Sequence, residues 1–244
     1  MKITIDGKTC EAQPGQFLLE VARQNGIKIP SLCHNAALPG QACCRVCIVE
    51  IEDSRGNRSV AVSCVYPVKE SITVHTNSER ITRLRHNVLA LLKERIPEPE
   101  GDLAEYFREY DVQGQGLQFN VKKDEKCILC GLCVKACNEI GTFAIQTTMR
   151  GIQKVVAPPF NEPSSACIGC ASCAKVCPAN AIECSTDGDT RTIWGKTFTM
   201  VRCSVCNEPF ATTDEFNWLK GRLLDTDLNL TLCPKCRGRA SINT

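Results

Sequence analysis

Hydrophobic and polar positions alternate from the first residues. Ile3 and Ile5 are separated by polar neighbours, Asp6-Gly7 follows, and the alternation resumes from Lys8 to Ala12. A period of two broken by Asp-Gly predicts a β-hairpin. After Pro14-Gly15 the period changes: Phe17, Leu18, Val21 and Ala22 fall on one face of a helix that Gly26 stops. Ile48, Val49 and Ile51, then Val60, Val62 and Val65, predict further strands around a turn at 54–57.

Strand, turn, strand and helix in this order predict the opening of a β-grasp domain. Thr76 and Glu79 have capping-box spacing. Ile81, Leu84, Val88, Leu91 and Leu92 then recur at helical spacing until Pro97. Arg80, Arg83, Arg85, Lys93 and Arg95 decorate that helix, and read as a solvated face ahead of a docking surface for an acidic partner. Residues 97–120 read as a linker holding one helical turn.

Composition changes the picture. The 43% hydrophobic class includes 19 cysteines in 244 residues, and aromatics are 5%. That is thin material for one large core, so small modules held by something besides packing are expected. With 29 basic against 27 acidic residues, a strongly basic nucleic-acid binder is disfavoured. Asp6 interrupts any export signal, and no apolar run approaches a membrane span, so a cytoplasmic chain is expected. Dense cysteine in a reducing compartment means metal rather than disulfides.

The cysteines form three constellations. The first is Cys33, Cys44, Cys47 and Cys64, written C-x10-C-x2-C-x16-C. It is a variation on the plant-type [2Fe-2S] run, whose first gap is shorter. Cys43 beside it reads as a spare thiol and Cys10 as a core residue. His34, His75 and His86 read as structural or solvent histidines, because no second histidine is spaced for a Rieske pair.

The second constellation is a repeat. Cys127, Cys130, Cys133 and Cys137 have C-x2-C-x2-C-x3-C spacing, and so do Cys167, Cys170, Cys173 and Cys177, followed by Pro178. In this bacterial two-cluster ferredoxin run the fourth cysteine of each motif ligates the other cluster. One [4Fe-4S] cluster is therefore expected on Cys127, Cys130, Cys133 and Cys177, and a second on Cys167, Cys170, Cys173 and Cys137. Asn138 stands where the run has proline after Cys137. The 29 residues between Cys137 and Cys167 predict an inserted hairpin or loop around Pro158-Pro159.

The third constellation pairs Cys203-x2-Cys206 with Cys233-x2-Cys236, 26 residues apart. Such knuckles favour a structural zinc ribbon, ahead of a further [4Fe-4S] cluster or a rubredoxin-like iron.

The segment IPSLCHNAALPGQACCRVCIVEIE resembles the N-terminal [2Fe-2S] domain of the large iron–sulfur subunit of complex I, which also begins many multi-cluster hydrogenases. Residues 97–126 lack the histidine and three cysteines that bind a further cluster in those proteins, and no nucleotide-binding glycine loop is present. The whole resembles the diaphorase-side subunit of soluble multimeric hydrogenases, including the bifurcating kind. The fold class expected is α+β: a β-grasp [2Fe-2S] domain at 1–76, helix and linker at 77–120, a ferredoxin-like domain at 121–190 and a zinc-ribbon-like tail at 191–244.

The resemblance implies a non-catalytic wire with one [2Fe-2S] cluster, two [4Fe-4S] clusters and one zinc. It would relay electrons between a flavin-bearing NAD(H) subunit and a nickel-iron hydrogenase module, with ferredoxin as a further partner in bifurcating complexes. The same wire in a formate dehydrogenase is the alternative. A redox-sensing binding protein using its ribbon is a reading of another class, weakened by the scatter of Phe210, Phe216 and Trp218.

Overall fold

The computed structural model describes residues 1–117, 125–223 and 229–240. The junction expected at 120/121 lies outside the described residues. The chain is mixed α and β and forms two compact units: 1–132 with 178–181, and 133–177 with 182–244. Among the described residues no helix is long and apolar enough to cross a membrane.

In the first unit, β1 (Lys2–Ile5) and β2 (Lys8–Glu11) pair antiparallel with Ile5 opposite Lys8. The turn between them is Asp6-Gly7, both at positive φ, as a two-residue hairpin requires. Helix α1 (Leu18–Gln24) buries Leu18, Leu19, Val21 and Ala22. Phe17 is displaced from that face: it caps the helix in extended backbone, bridges Pro67 and stays part-exposed. Strands β3 (Ile48–Glu52), β4 (Arg58–Val62) and β5 (Thr73–His75) complete a sheet of order β2-β1-β5-β3-β4. Only the β1–β5 pair is parallel. Ile3, Ile5, Val49, Ile51 and Val74 form one core with the buried residues of α1.

Helix α2 (Glu79–Arg95) starts two residues later than the Thr76–Glu79 spacing suggested. Its cap is Ser78, which accepts from the Ile81 N–H, while the Thr76 N–H and hydroxyl bond the Asp6 carboxylate. Its buried stripe is Ile81, Arg85, Leu89 and Ala90, and Leu91 is exposed. Arg85 therefore leaves the solvated face assigned to it. Its guanidinium donates to the carbonyls of Val46 (3.0 Å), Ile48 (2.8 Å) and Thr76 (3.0 Å), and to Asn77 Oδ1 and the Tyr110 hydroxyl (3.1 Å each). The linker holds a full helix, α3 (Gly101–Glu109), longer than one turn because Leu103 and Phe107 have a core to enter. The Leu103 N–H donates to the Pro178 carbonyl at 3.3 Å.

Helix α4 (Leu132–Ile140) opens at the boundary between the units and runs through Cys133 and Cys137. In the second unit, β6 (Gln146–Thr148) and β7 (Val155–Ala157) form the hairpin expected between the two motifs. Helix α5 (Ser172–Lys175) is shorter than α4 and ends before Cys177-Pro178. The difference follows from what comes after each fourth cysteine. Pro178 disfavours helical backbone at Cys177, whereas Asn138 lets α4 continue to Ile140 and accepts from Gln146 Nε2 at 2.9 Å. A four-stranded antiparallel sheet follows, of order β11-β10-β9-β8, from β8 (Cys184–Asp187), β9 (Thr190–Ile193), β10 (Lys196–Arg202) and β11 (Pro209–Thr212). Helix α6 (Thr213–Arg222) is capped by a Thr212–Glu215 box, and α7 (Pro234–Ala240) starts inside the last cysteine knuckle.

Candidate iron–sulfur and metal sites

Cys33, Cys47 and Cys64 are buried, and Cys44 is half-buried. The thiols of Cys43, Cys44 and Cys64 act on that of Cys33, and that of Cys64 acts on Cys47. The Cys44 N–H points at Cys33 Sγ from 3.4 Å. Ala42 and Arg45 take left-handed backbone, which turns the loop's amides inward. Gly40 lets the ten-residue gap close: a Cβ there would stand 2.9 Å from the Cys64 carbonyl oxygen. Thiols this crowded share protons unequally. Cys33 is held far below the ordinary thiol range by donation from Cys43 and Cys44, and Cys47 comes down to about 6 through donation from Cys64. Four soft donors with two already inclined to thiolate fit a [2Fe-2S] cluster.

The two ferredoxin motifs repeat at the backbone level. Leu129 and Gly131 of the first, like Gly169 and Ala171 of the second, take positive φ around the middle cysteine. The Leu129 N–H then points at Cys127 Sγ from 3.4 Å. Cys127 and Cys130 belong to the first unit, Cys133 and Cys177 to the second.

Within the second unit, Cys137, Cys167, Cys170 and Cys173 line one cavity. Ile140, Ile145, Ile168, Ile193 and Trp194 are the large residues of the remaining wall, and among the described residues no carboxylate lines it. Cys137 Sγ meets the Ala144 N–H at 3.2 Å and the Thr142 hydroxyl at 3.1 Å. Cys173 Sγ accepts from the Trp194 indole N–H at 3.4 Å, and burial pushes its thiol up to about 11. Four sulfur donors, inward N–H groups and an apolar wall fit a [4Fe-4S] cluster.

The sheet beyond this cavity grips the loop that carries Cys167 and Cys170. Lys196 Nζ donates to the Cys167 carbonyl at 2.9 Å, the Thr212 hydroxyl to that of Ile168, and Arg191 Nη1 to that of Gly169 at 3.0 Å. Three successive carbonyls are thus tied by three different side chains. Gly169 sits at φ +68, and a Cβ there would fall 2.7 Å from the Phe198 ring and 2.9 Å from Thr212 Cγ2. Arg222 of α6 adds a 3.3 Å bond to the Ile140 carbonyl at the end of α4.

At the tip of the β10–β11 hairpin, the sulfurs of Cys203, Cys206, Cys233 and Cys236 lie within 4.8 Å of one another. Cys206 and Cys233 are 3.8 Å apart, about the edge of a tetrahedron whose ion–sulfur bonds are about 2.3 Å. The Cys233 N–H reaches Cys203 Sγ at 3.3 Å, and backbone N–H donors, that of Cys206 foremost, lower the Cys203 thiol to about 6. The set fits one tetrahedral ion. Phe210 packs on it, while Lys220 and Arg222 cover the faces of Phe216 and Trp218.

Sequence reasoning singled out the cysteines but passed over Trp194, Arg191, Lys196 and Thr212. One signal was available: Gly195 between β-prone neighbours marks a turn. The carbonyl-binding roles of the others arise from tertiary packing and leave no local pattern.

Comparison with known proteins agrees with this chemistry. Residues 1–79 match the 2Fe-2S iron-sulfur cluster binding domain and residues 121–184 the 4Fe-4S dicluster domain. The chain is an iron–sulfur protein. It is 36% identical over 216 residues to the NADP-reducing hydrogenase subunit HndD of Solidesulfovibrio fructosivorans, covering 75% of this chain and 36% of that one. It is 27% identical over 207 residues to an NADH-quinone oxidoreductase subunit of Rhizobium meliloti (strain 1021), covering 75% of this chain and 24% of the relative. The iron–sulfur protein thus spans about a quarter to a third of these relatives. Its fold resembles a chain in the crystal structure of an NAD+-reducing [NiFe]-hydrogenase in the H2-reduced state, with a TM-score of 0.63 at 24% identity. That likeness covers 74% of this chain and 85% of the other.

Proposed function

We propose that this iron–sulfur protein is an electron-transfer subunit that relays single electrons between a flavin-bearing NAD(P)(H) subunit and a hydrogenase module. The observation that carries the reading is the cavity ringed by Cys137 from the first ferredoxin motif and Cys167, Cys170 and Cys173 from the second. A fourth ligand exchanged between motifs is the mark of a two-cluster carrier. By the same spacing, Cys127, Cys130, Cys133 and Cys177 hold the other [4Fe-4S] cluster, and Cys33, Cys44, Cys47 and Cys64 hold a [2Fe-2S] cluster of β-grasp type. A zinc held by Cys203, Cys206, Cys233 and Cys236 would staple a ribbon-like tail, a role that needs no redox chemistry. The functional modules are 1–76, 77–120, 121–190 and 191–244. Cysteine spent on metal sites fits a cytoplasmic setting.

When bound, the clusters supply reversible one-electron chemistry. The protein's share is spacing, burial and hydrogen bonds to sulfur, which set each potential. The hydrogenase-linked names of HndD and of the [NiFe]-hydrogenase neighbour support a hydrogenase module as the terminal partner. Anaerobic co-purification with mass spectrometry and metal analysis tests it. A flavoprotein and a nickel-bearing subunit, with about ten irons and one zinc on this chain, are the expected result. Molybdenum or tungsten in place of nickel would move the wire to formate chemistry, and isolation as a lone chain would overturn the subunit reading.

A further inference from the structure

The turn joining β9 to β10 pairs Ile193 with Lys196, so Trp194 and Gly195 are its two central residues. Both have positive φ, 53° and 71°. Gly195 is the expected residue there, but the first position ordinarily takes Asn, Asp or Gly, and a bulky indole is an outlier. A side chain held in such a conformation persists where its surroundings over-determine it, and such residues gather at functional sites. Here the surroundings are the cavity itself. Trp194 and Ile193 line it, the ring packs with its apolar wall, and the indole N–H ends 3.4 Å from Cys173 Sγ. A phenylalanine would fill much of the same space without a donor.

We propose that Trp194 is a positioning residue that raises the reduction potential of the cluster held by Cys137, Cys167, Cys170 and Cys173, through its N–H hydrogen bond to Cys173 Sγ. The inference rests on the ligand set under Proposed function. Reduction adds one negative charge to the cluster and its thiolates. A donor aimed at a ligand sulfur stabilises that state more than the oxidised one, and hydrogen bonds to sulfur are one of the protein's levers on potential. Lys196, two residues on, bonds the Cys167 carbonyl, so one hairpin reaches two ligands of the same cluster.

The test uses the full chain, purified anaerobically with its clusters. Redox titrations followed by electron paramagnetic resonance are compared for wild type, Trp194→Phe and Trp218→Phe, which between them cover both tryptophans. With iron content unchanged, Trp194→Phe is expected to lower one [4Fe-4S] midpoint and leave the other in place. The reduced-to-oxidised ratio at fixed potential should drop about tenfold, which is about 59 mV for one electron. Trp218→Phe should shift neither midpoint.

Unchanged midpoints in an iron-replete Trp194→Phe would overturn the proposal. If that variant loses iron, wild type carrying 15N in its indoles decides. Coupling of one indole nitrogen to a reduced cluster supports the assignment, and its absence overturns it. Wild type showing fewer than two [4Fe-4S] signals would instead sink the ligand set, and the role of Trp194 with it.

Discussion

The thiol of Cys43 donates to the carbonyl oxygen of Cys130 at 3.1 Å, within the first unit. A residue that reads as a spare thiol beside the [2Fe-2S] ligands is thereby bonded to the backbone of a ferredoxin-motif cysteine. Its one proton is shared between that carbonyl and the Cys33 sulfur, and Cys33 together with burial pushes the Cys43 thiol upward, away from the thiolate a ligand must supply.

Cys43→Ala should therefore retain about ten irons per chain, while Cys44→Ala loses about two. Iron assay with spectra of the reduced protein distinguishes them. Equal losses from both variants would make Cys43 a ligand.

Arg85 offers a stability test. Its five acceptors are three carbonyls, an amide and a phenol, and the carbonyls of Val46 and Ile48 flank Cys47. Arg85→Met leaves several buried acceptors without a donor and should cost about 3–5 kcal/mol. Thermal unfolding of the first unit should fall by about 10 °C or more, with [2Fe-2S] colour lost first. Arg85→Lys should rescue only in part, since an ammonium cannot span the fork. An unchanged melting temperature would refute this account.

Arg85 also marks where the sequence stopped being legible. An arginine at helical spacing among Arg80, Arg83 and Arg95 has the pattern of a solvated face, and nothing local says that the Ile48 carbonyl of β3 awaits it. The opening hairpin was legible because Asp6-Gly7 carries its own turn chemistry. The insert between the motifs was legible because 29 residues are more than two adjacent cysteine runs need. The cap of α2 was misplaced by two residues because Thr76 found a tertiary partner in Asp6. Spacing alone pointed to the cysteines, since short gaps force convergence. The side chains that hold the second ferredoxin loop come from a sheet beyond it, and no period encodes them.

Gly169 is the most sensitive point of that loop. Gly169→Ala combines left-handed backbone with a clash against Phe198 and Thr212. Iron should fall from about ten to about six per chain, with zinc retained. Leu129, its counterpart in the first motif, already carries a side chain at φ 55, so Leu129→Gly should keep full iron. Metal analysis of the two variants checks the contrast, and full iron in Gly169→Ala would contradict it.

Removing the tail ion tests the grip on the same loop. Cys206→Ser should lose the proposed zinc, and with it the order of the hairpin tip below Thr212 and Arg191. All irons should remain at first, but one [4Fe-4S] cluster should bleach several-fold faster in air. Bleaching kinetics identical to wild type would show that the ion's influence ends at the tip.

The bond from the Leu103 N–H to the Pro178 carbonyl bears on how the chain is made. Residue 103 leaves the ribosome 75 residues before its acceptor. At about 5–20 residues per second, α3 waits about 4 to 15 seconds for it. The first unit therefore gains this bond only after the second ferredoxin motif has been synthesised. Until then α3 rests on partners made earlier, with the Ser31 N–H donating to the Tyr106 hydroxyl and Arg85 to that of Tyr110, and the peptide at Pro178 adds its bond last.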